Sequence, residues 1–380
     1  MARHYAELLP ANMYQSLATE FAYKAMKSGY IDASDLLNVK GSMVKSICGT
    51  NLKLTNESLE KFEQLTKHLY DRITKGIDSD LSHNCQVLAN GLELPKHAWK
   101  VIQLMVVMTT NGGLNEFIQH VLPADMYINA LFGSMIGLDE TEIINVNSAL
   151  SETGLFRDCS IHLLDLVGLP RGIVDGLIGD KVESYTELIA PLVQLQPRSE
   201  LTFKDITHLD MTALVEFLTV AVNHSIVGTN ILLFGPAGTG KTQISRLLAD
   251  TIGAALIAIK PLGKDINHSA TDYESNTSSP RLRLQYHRLV QSVVSYDEKT
   301  LLVIDECEDI INDASSQRGV GREVLHTILE TNTTPTIWIC NDETYPESFV
   351  RRCTFVKNIH IPDNRVMENL INKTSKGLRL

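Results

Sequence analysis

The sequence has no long hydrophobic run. Its longest apolar stretches, such as Val101–Met108, fall far short of the roughly 18 residues that cross a bilayer, so no membrane span is expected. The N-terminus reads Met-Ala-Arg-His and lacks the apolar segment of a secretory leader. The six cysteines (Cys48, Cys85, Cys159, Cys307, Cys340 and Cys353) are scattered and include no Cys-x-x-Cys pair. That spacing argues against a disulfide framework or a zinc site and suits a reducing cytoplasm, the expected location. Internal repeats and low-complexity tracts are also missing. Basic residues are scarce in one region: residues 101–200 hold 4 Lys+Arg against 13 Asp+Glu, within a net charge of −11 for the chain. Such a surface repels a phosphate backbone, so the N-terminal half is a poor candidate for nucleic-acid binding.

What is present is enough apolar material, 44% of 380 residues, for two or three packed domains. The first 200 residues read as helical. Met13, Leu17 and Phe21 recur at helical spacing, with Gly29 as a stop. Leu59, Phe62, Leu65, Leu69 and Ile73 form an apolar stripe under a charged face. Trp99–Met108 is apolar nearly all round and should be buried. Asp139-Glu-Thr-Glu142 has the form of a capping box, with Ile143, Val146 and Leu150 turned inward. A polar, turn-rich stretch from Gly76 to Asn90 marks a soft boundary. Beyond residue 200, short apolar runs at Ile231–Phe234, Ala255–Ile259, Leu301–Ile304, Thr336–Cys340 and Phe355–Ile361 alternate with helical segments at Thr242–Ile252, Arg281–Ser295 and Gly321–Thr331. Alternation of this kind predicts a five-stranded parallel sheet covered on both faces. The expected organisation is a helical segment over 1–90, a helical domain over 91–200 and an α/β core over 201–380.

The sharpest motif is Gly235-Pro236-Ala237-Gly238-Thr239-Gly240-Lys241-Thr242, a full match to G-x-x-x-x-G-K-[ST] placed between a strand and a helix. The glycines let the backbone wrap closely so that its N–H groups point at phosphate oxygens, and the helix adds its N-terminal dipole. Lys241 supplies a point charge for the terminal phosphates, and Thr242 a hydroxyl for magnesium. Binding of ATP with Mg2+ is the expectation.

Leu301–Ile304 ends in Asp305-Glu306. At this place Asp305 would hold the metal, and Glu306 would polarise an attacking water; a solvated acidic loop is the bland alternative, and Glu308 and Asp309 are read as that or as a helix start. Thr336–Cys340 ends in Asn341, which would orient the lytic water, or else would serve only as a turn former. Arg351 and Arg352 follow a short helical stretch. One of them would act as an arginine finger toward a neighbouring subunit, the alternative being a solvated basic pair.

Together these residues resemble the AAA+ ATPase superfamily: Gly235–Thr242 its Walker A motif, Leu301–Glu306 its Walker B motif, Asn341 its first sensor, and Phe349–Arg352 its arginine-finger region. The likeness covers about residues 225–373. Leu201–Leu209, Gly228–Gly235 and Leu329–Trp338 are similar to a group of bacterial AAA-family ATPases with a long helical N-terminal region. The resemblance implies a P-loop NTPase core of AAA+ type, an oligomer (commonly a hexameric ring) with ATP at subunit interfaces, and hydrolysis coupled to remodelling of a protein partner. It also places Val227 and Gly228 near the adenine. A helical lid bearing a second sensor arginine normally follows the fifth strand. Here one helix, Asp363–Thr374, precedes Leu380, Arg379 lies too close to the strand to serve as that sensor, and the lid is expected to be missing, minimal or on a separate polypeptide.

The leading expectation is an ATP-driven remodeller that recognises protein through its acidic helical half. A nucleic-acid motor, with Arg281, Arg283, Arg288, Lys260 and Lys264 lining a basic channel, is the first alternative. A nucleotide-binding switch or assembly subunit with weak hydrolysis is the second. Tyr273, in the polar loop 267–280, reads as solvated rather than as a substrate-gripping residue.

Overall fold

The computed structural model describes residues 13–31, 36, 39–49, 59–73, 80–122, 128–155, 169, 171–259, 280–294, 299–315, 322–341 and 345–375. The chain folds as two compact units, residues 1–191 and 192–380. Lys260, Lys264, Tyr273, Arg379 and the side chain of Arg281 lie outside the described residues.

The first unit is helical. Its central helix, Ala98–Thr110, buries Val101, Ile102, Leu104, Met105, Val106 and Val107, as a helix apolar on every side must. The helix Glu140–Glu152 opens with the expected capping box. Glu142 N donates to Asp139 Oδ1 at 2.8 Å, and Asp139 N donates to Glu142 Oε2 at 3.0 Å. Its residues Ile143, Val146 and Leu150 are buried. The helix Met13–Lys27 gives way to Gly29 at φ +78°, a conformation that glycine takes without strain.

The turn-rich stretch at 76–90 is corrected by a helix, Asp80–Gly91. Its buried face includes a polar residue, which weakened the apolar signal. Asn84 is fully buried, yet its Nδ2 donates to Leu177 O and Asp180 O, and its Oδ1 accepts from Val182 N at 3.0 Å. One side chain thus satisfies three backbone groups, one in the last turn of the helix Arg171–Ile178 and two just beyond it.

The second unit is built on a six-stranded sheet: β1 (Val193–Leu195), β2 (Asn230–Phe234), β3 (Ala255–Ile259), β4 (Thr300–Ile304), β5 (Thr336–Cys340) and β6 (Phe355–Asn358), in spatial order β1-β3-β4-β5-β2-β6. β2 to β6 are parallel, which carries the five expected strands into one sheet. The addition is β1, an antiparallel edge strand paired with β3 from residues expected to be helical. It is three residues long and leaves Leu195 68% exposed, so it carries no alternation to read. β4 and β5 are buried at every position, as strands covered on both faces are. Helices Thr212–Asn223 and Lys241–Ile252 cover one face, around Ile231, Leu233, Val303 and Ile337. The helix Pro280–Val293 covers the other, where the His287 ring lies 5.5 Å from that of Trp338.

The N-terminal edge of the sheet is tied by polar side chains. Trp338 is fully buried, and its indole N–H donates to Asn230 Oδ1 at 3.0 Å. Asn230 Nδ2 donates to Leu329 O at 2.6 Å. Asn332 Nδ2 donates to Thr229 O, and Asn332 O accepts from Gly228 N at 2.9 Å. The segments 228–235 and 329–338, singled out in the sequence, therefore bind each other.

Asn84→Ala leaves Val182 N, Leu177 O and Asp180 O without their partner. It should cost about 2 kcal/mol of stability in urea unfolding; a midpoint equal to wild type would show that the carboxamide is dispensable.

Candidate nucleotide site

The carboxyl ends of β2, β4 and β5 share one edge of the sheet, and the glycine-rich loop leaves from β2 there. In an open α/β sheet this edge is where ligands bind. Gly235 sits at φ +139°. A Cβ built on it would run into the carbonyl oxygen of Ile359, so only glycine lets the loop pass the chain that follows β6. Gly240 caps the following helix at φ +86° and brings no side-chain cap. The first amides of Lys241–Ile252 are thus left to whatever the loop encloses. Pro236, Ala237 and Gly238 are exposed at the loop tip, and Thr239 Oγ1 donates to Pro236 O at 3.0 Å, closing the turn.

Lys241 is 5% exposed. Its Nζ donates to Gly235 O at 2.7 Å and to Pro236 O at 2.8 Å, so the ammonium sits under the loop that it follows. Burial pulls its pKa below the usual lysine value, against the opposing pull of the Asp305 and Glu308 carboxylates. A buried cation beside bare helix amides is a seat for an anion.

Thr242 Oγ1 donates to Asp305 Oδ2 at 2.7 Å, joining the loop helix to the end of β4. Asp305 Oδ1 accepts from Glu306 N at 2.9 Å. Glu306 is exposed and takes φ +52°, rare for a residue with a side chain. Cys307 N donates to Ile339 O at 2.9 Å, which pins the turn after β4 to β5.

The structure brings Thr242, Asp305 and the 235–242 loop into one cluster, with Glu306 on the turn beside it. Asn341 is attached to the same turn by a route not anticipated in the sequence: its backbone N donates to Glu308 Oε1 at 2.6 Å. Glu308 opens the helix Glu308–Ser315, and its position three residues after Asp305 was the available signal. Arg352 is held within its own segment, with Nε donating to Glu330 Oε1 at 2.6 Å and Nη1 to Ser348 O at 2.7 Å. Arg351 is exposed. Val227 is exposed and Gly228 is half-buried at φ +75°.

The basic channel is corrected at Arg283. Arg283 is 9% exposed and points inward. Its Nη1 donates to Glu306 O at 2.8 Å and to Asp309 Oδ1 at 2.7 Å, and its Nη2 donates to Asp305 O. A guanidinium spent on these acceptors is not offered to a phosphate backbone.

A buried strand, a glycine-rich loop, a helix with bare first amides and an acidic end on a strand of the same sheet define a P-loop nucleotide-binding domain. Residues 231–362, which hold the loop and the ends of β4 and β5, match the model of the ATPase family associated with various cellular activities (AAA). The match implies nucleotide binding by this stretch. No curated protein matches the chain significantly. Solved structures similar to part of it include C. elegans PCH-2, 20% identical over 44% of this chain and 46% of that one, with a TM-score of 0.32. The FIGL-1 AAA domain in complex with ADP is 19% identical over 52% and 69%, at 0.35. A structure describing the basis of katanin self-assembly is 20% identical over 52% and 67%, at 0.34. The match spans less than half of the PCH-2 chain. No helix among the described residues is long and apolar enough to cross a membrane.

Gly235→Ala forces a Cβ against the Ile359 carbonyl at a backbone angle that alanine avoids. Equilibrium titration with a fluorescent ATP analogue should show affinity lower by about tenfold or more, with the fold retained by circular dichroism; wild-type affinity would mean that the loop does not form the site.

Proposed function

We propose that this protein binds ATP with Mg2+ at the 235–242 loop and hydrolyses it at an interface between subunits, using the cycle to remodel a protein partner. The observation that carries the reading is the 2.7 Å contact between the Thr242 hydroxyl and the Asp305 carboxylate across the loop and β4. Both are hard oxygen donors, which suit magnesium, and they stand beside the buried Lys241 ammonium. When bound there, magnesium would neutralise charge that develops on the terminal phosphates.

The residues of the chain divide the remaining work. The amides that begin the helix Lys241–Ile252 and the Lys241 Nζ bind phosphate oxygens. Thr242 and Asp305 hold the metal. Glu306, exposed and thrown forward by its left-handed backbone, takes a proton from the attacking water. Asn341 orients that water, its backbone fixed by Glu308. Arg351 is the exposed member of the arginine pair and is the one that reaches into the site of a neighbouring subunit, whereas Arg352 braces the segment through Glu330 and Ser348. The acidic helical first unit is the recognition module for the protein partner.

Phosphate release and analogue binding test this reading. Glu306→Gln should lower kcat by about 10²-fold or more and leave the affinity for a nonhydrolysable ATP analogue within about twofold. Equal, background-level release from wild type and variant would remove the hydrolytic claim.

The subunit claim has its own test. Sizing with the analogue present should show assembly, and Arg351→Ala should lower kcat about 10³-fold. Arg352→Ala should instead lower the melting temperature. A protein that remains monomeric over a wide concentration range, with Arg351→Ala at wild-type kcat, would contradict the interface site.

A further inference from the structure

Glu306 presents its carboxylate from a backbone at φ +52°, a conformation that a glutamate keeps only when its surroundings impose it. The Asp305 side chain restrains the turn on one flank, with Oδ1 accepting from Glu306 N and Oδ2 from Thr242 Oγ1. β5 restrains it on another, through Cys307 N and Ile339 O. The third restraint is Arg283. Its guanidinium donates to the carbonyl oxygens of both Asp305 and Glu306 and to the Asp309 carboxylate. Consecutive carbonyls of an extended strand alternate in direction, so one planar group meets both only where the chain turns sharply between them. The left-handed residue Glu306 is that turn.

Arg283 is well placed to act as a fixed jig. It is 9% exposed, and Asp309 supplies the counter-charge at 2.7 Å. Its helix is held in register by the same stripe of side chains. Arg283, His287 and Gln291 recur every four residues; His287 Nε2 lies 3.1 Å from Thr336 Oγ1, and Gln291 Nε2 donates to Thr334 O at 2.9 Å. The helix is therefore anchored at the start of β5 while its first turn grips the turn after β4.

We infer that Arg283 is a positioning residue for hydrolysis: by bridging the carbonyls of Asp305 and Glu306 it holds the Glu306 backbone in the left-handed conformation that presents the carboxylate to the site. It touches neither nucleotide nor metal in this assignment, and the inference rests on the hydrolytic reading above. Lysine cannot replace it, because a compact ammonium lacks the planar fork that spans two carbonyls and a carboxylate.

The test uses Arg283→Lys and Arg283→Met in the full chain, with two readouts. In steady-state hydrolysis, kcat should fall by about tenfold or more, while KM and the affinity for a nonhydrolysable analogue stay within about twofold. In amide hydrogen exchange on the nucleotide-free protein, peptides covering 305–309 should exchange faster in Arg283→Lys, with peptides over 230–234 and 336–340 unchanged. Wild-type kcat in either variant overturns the inference. A parallel loss of analogue affinity, or of protection across the whole sheet, also overturns it, because Arg283 would then be a general structural residue. Should the wild type itself release no phosphate, the hydrolytic reading falls instead, and unchanged exchange at 305–309 in Arg283→Lys independently refutes the clamp.

Discussion

Thr242 and Asp305 meet at 2.7 Å because β2 and β4 are locked in parallel on either side of β5. Ile231 is level with Ile337, and Ile337 with Val303, so the register of both flanking strands is set against one fully buried strand. A slip of one residue would turn every side chain of β4 to the opposite face and carry Asp305 away from the loop. The site therefore depends on the packing of β5, whose residues are apolar along most of its length and polar only at its start, Thr336, and just past its end, Asn341.

The two edges of the sheet do different work. At the N-terminal edge, polar groups satisfy each other: Asn230 with Trp338 and Leu329, Asn332 with Thr229 and Gly228, His287 and Gln291 with Thr336. Apart from His287 Nδ1, which is buried without a partner, these polar networks are satisfied, which makes for a rigid and specific core. At the carboxyl edge, the groups are held by the chain but aimed outward. Lys241 is buried under neutral carbonyls, the helix after it starts without a side-chain cap, and Glu306 is exposed on a strained turn. The strained turn at Glu306 and the uncapped helix amides thus stand where a charged ligand would enter, and one edge stabilises the fold while the other is left to function.

The strands that carry the site were legible because each is a short apolar run between turn signals, and the loop because its glycines, lysine and threonine stand at fixed offsets. Three features were not. β1 is three residues long with a mostly exposed face, so local pattern cannot reveal it; only pairing with β3 makes it a strand. The helix Asp80–Gly91 hides behind Asn84, a polar residue whose burial is compensated by backbone groups more than 90 positions away. Arg283 read as one of several basic residues on a helix, since nothing in a sequence says that a guanidinium will spend its donors on carbonyls 22 and 23 residues further on. In each case the missing information is a tertiary contact. The same holds for Glu308, whose carboxylate was read as solvated or as a helix start and proves to hold the Asn341 backbone.

The central claim is that the loop and the end of β4 form one metal-assisted nucleotide site. Its most direct test is an equilibrium titration of ATP with and without Mg2+, for wild type and for Asp305→Asn. The account predicts that magnesium tightens ATP binding to the wild type by about tenfold or more and has far less effect on the variant, because the carboxylate that completes the hard-oxygen donor set is gone. Equal sensitivity to magnesium in both proteins would contradict it and would place the metal, or the nucleotide, somewhere other than between Thr242 and Asp305.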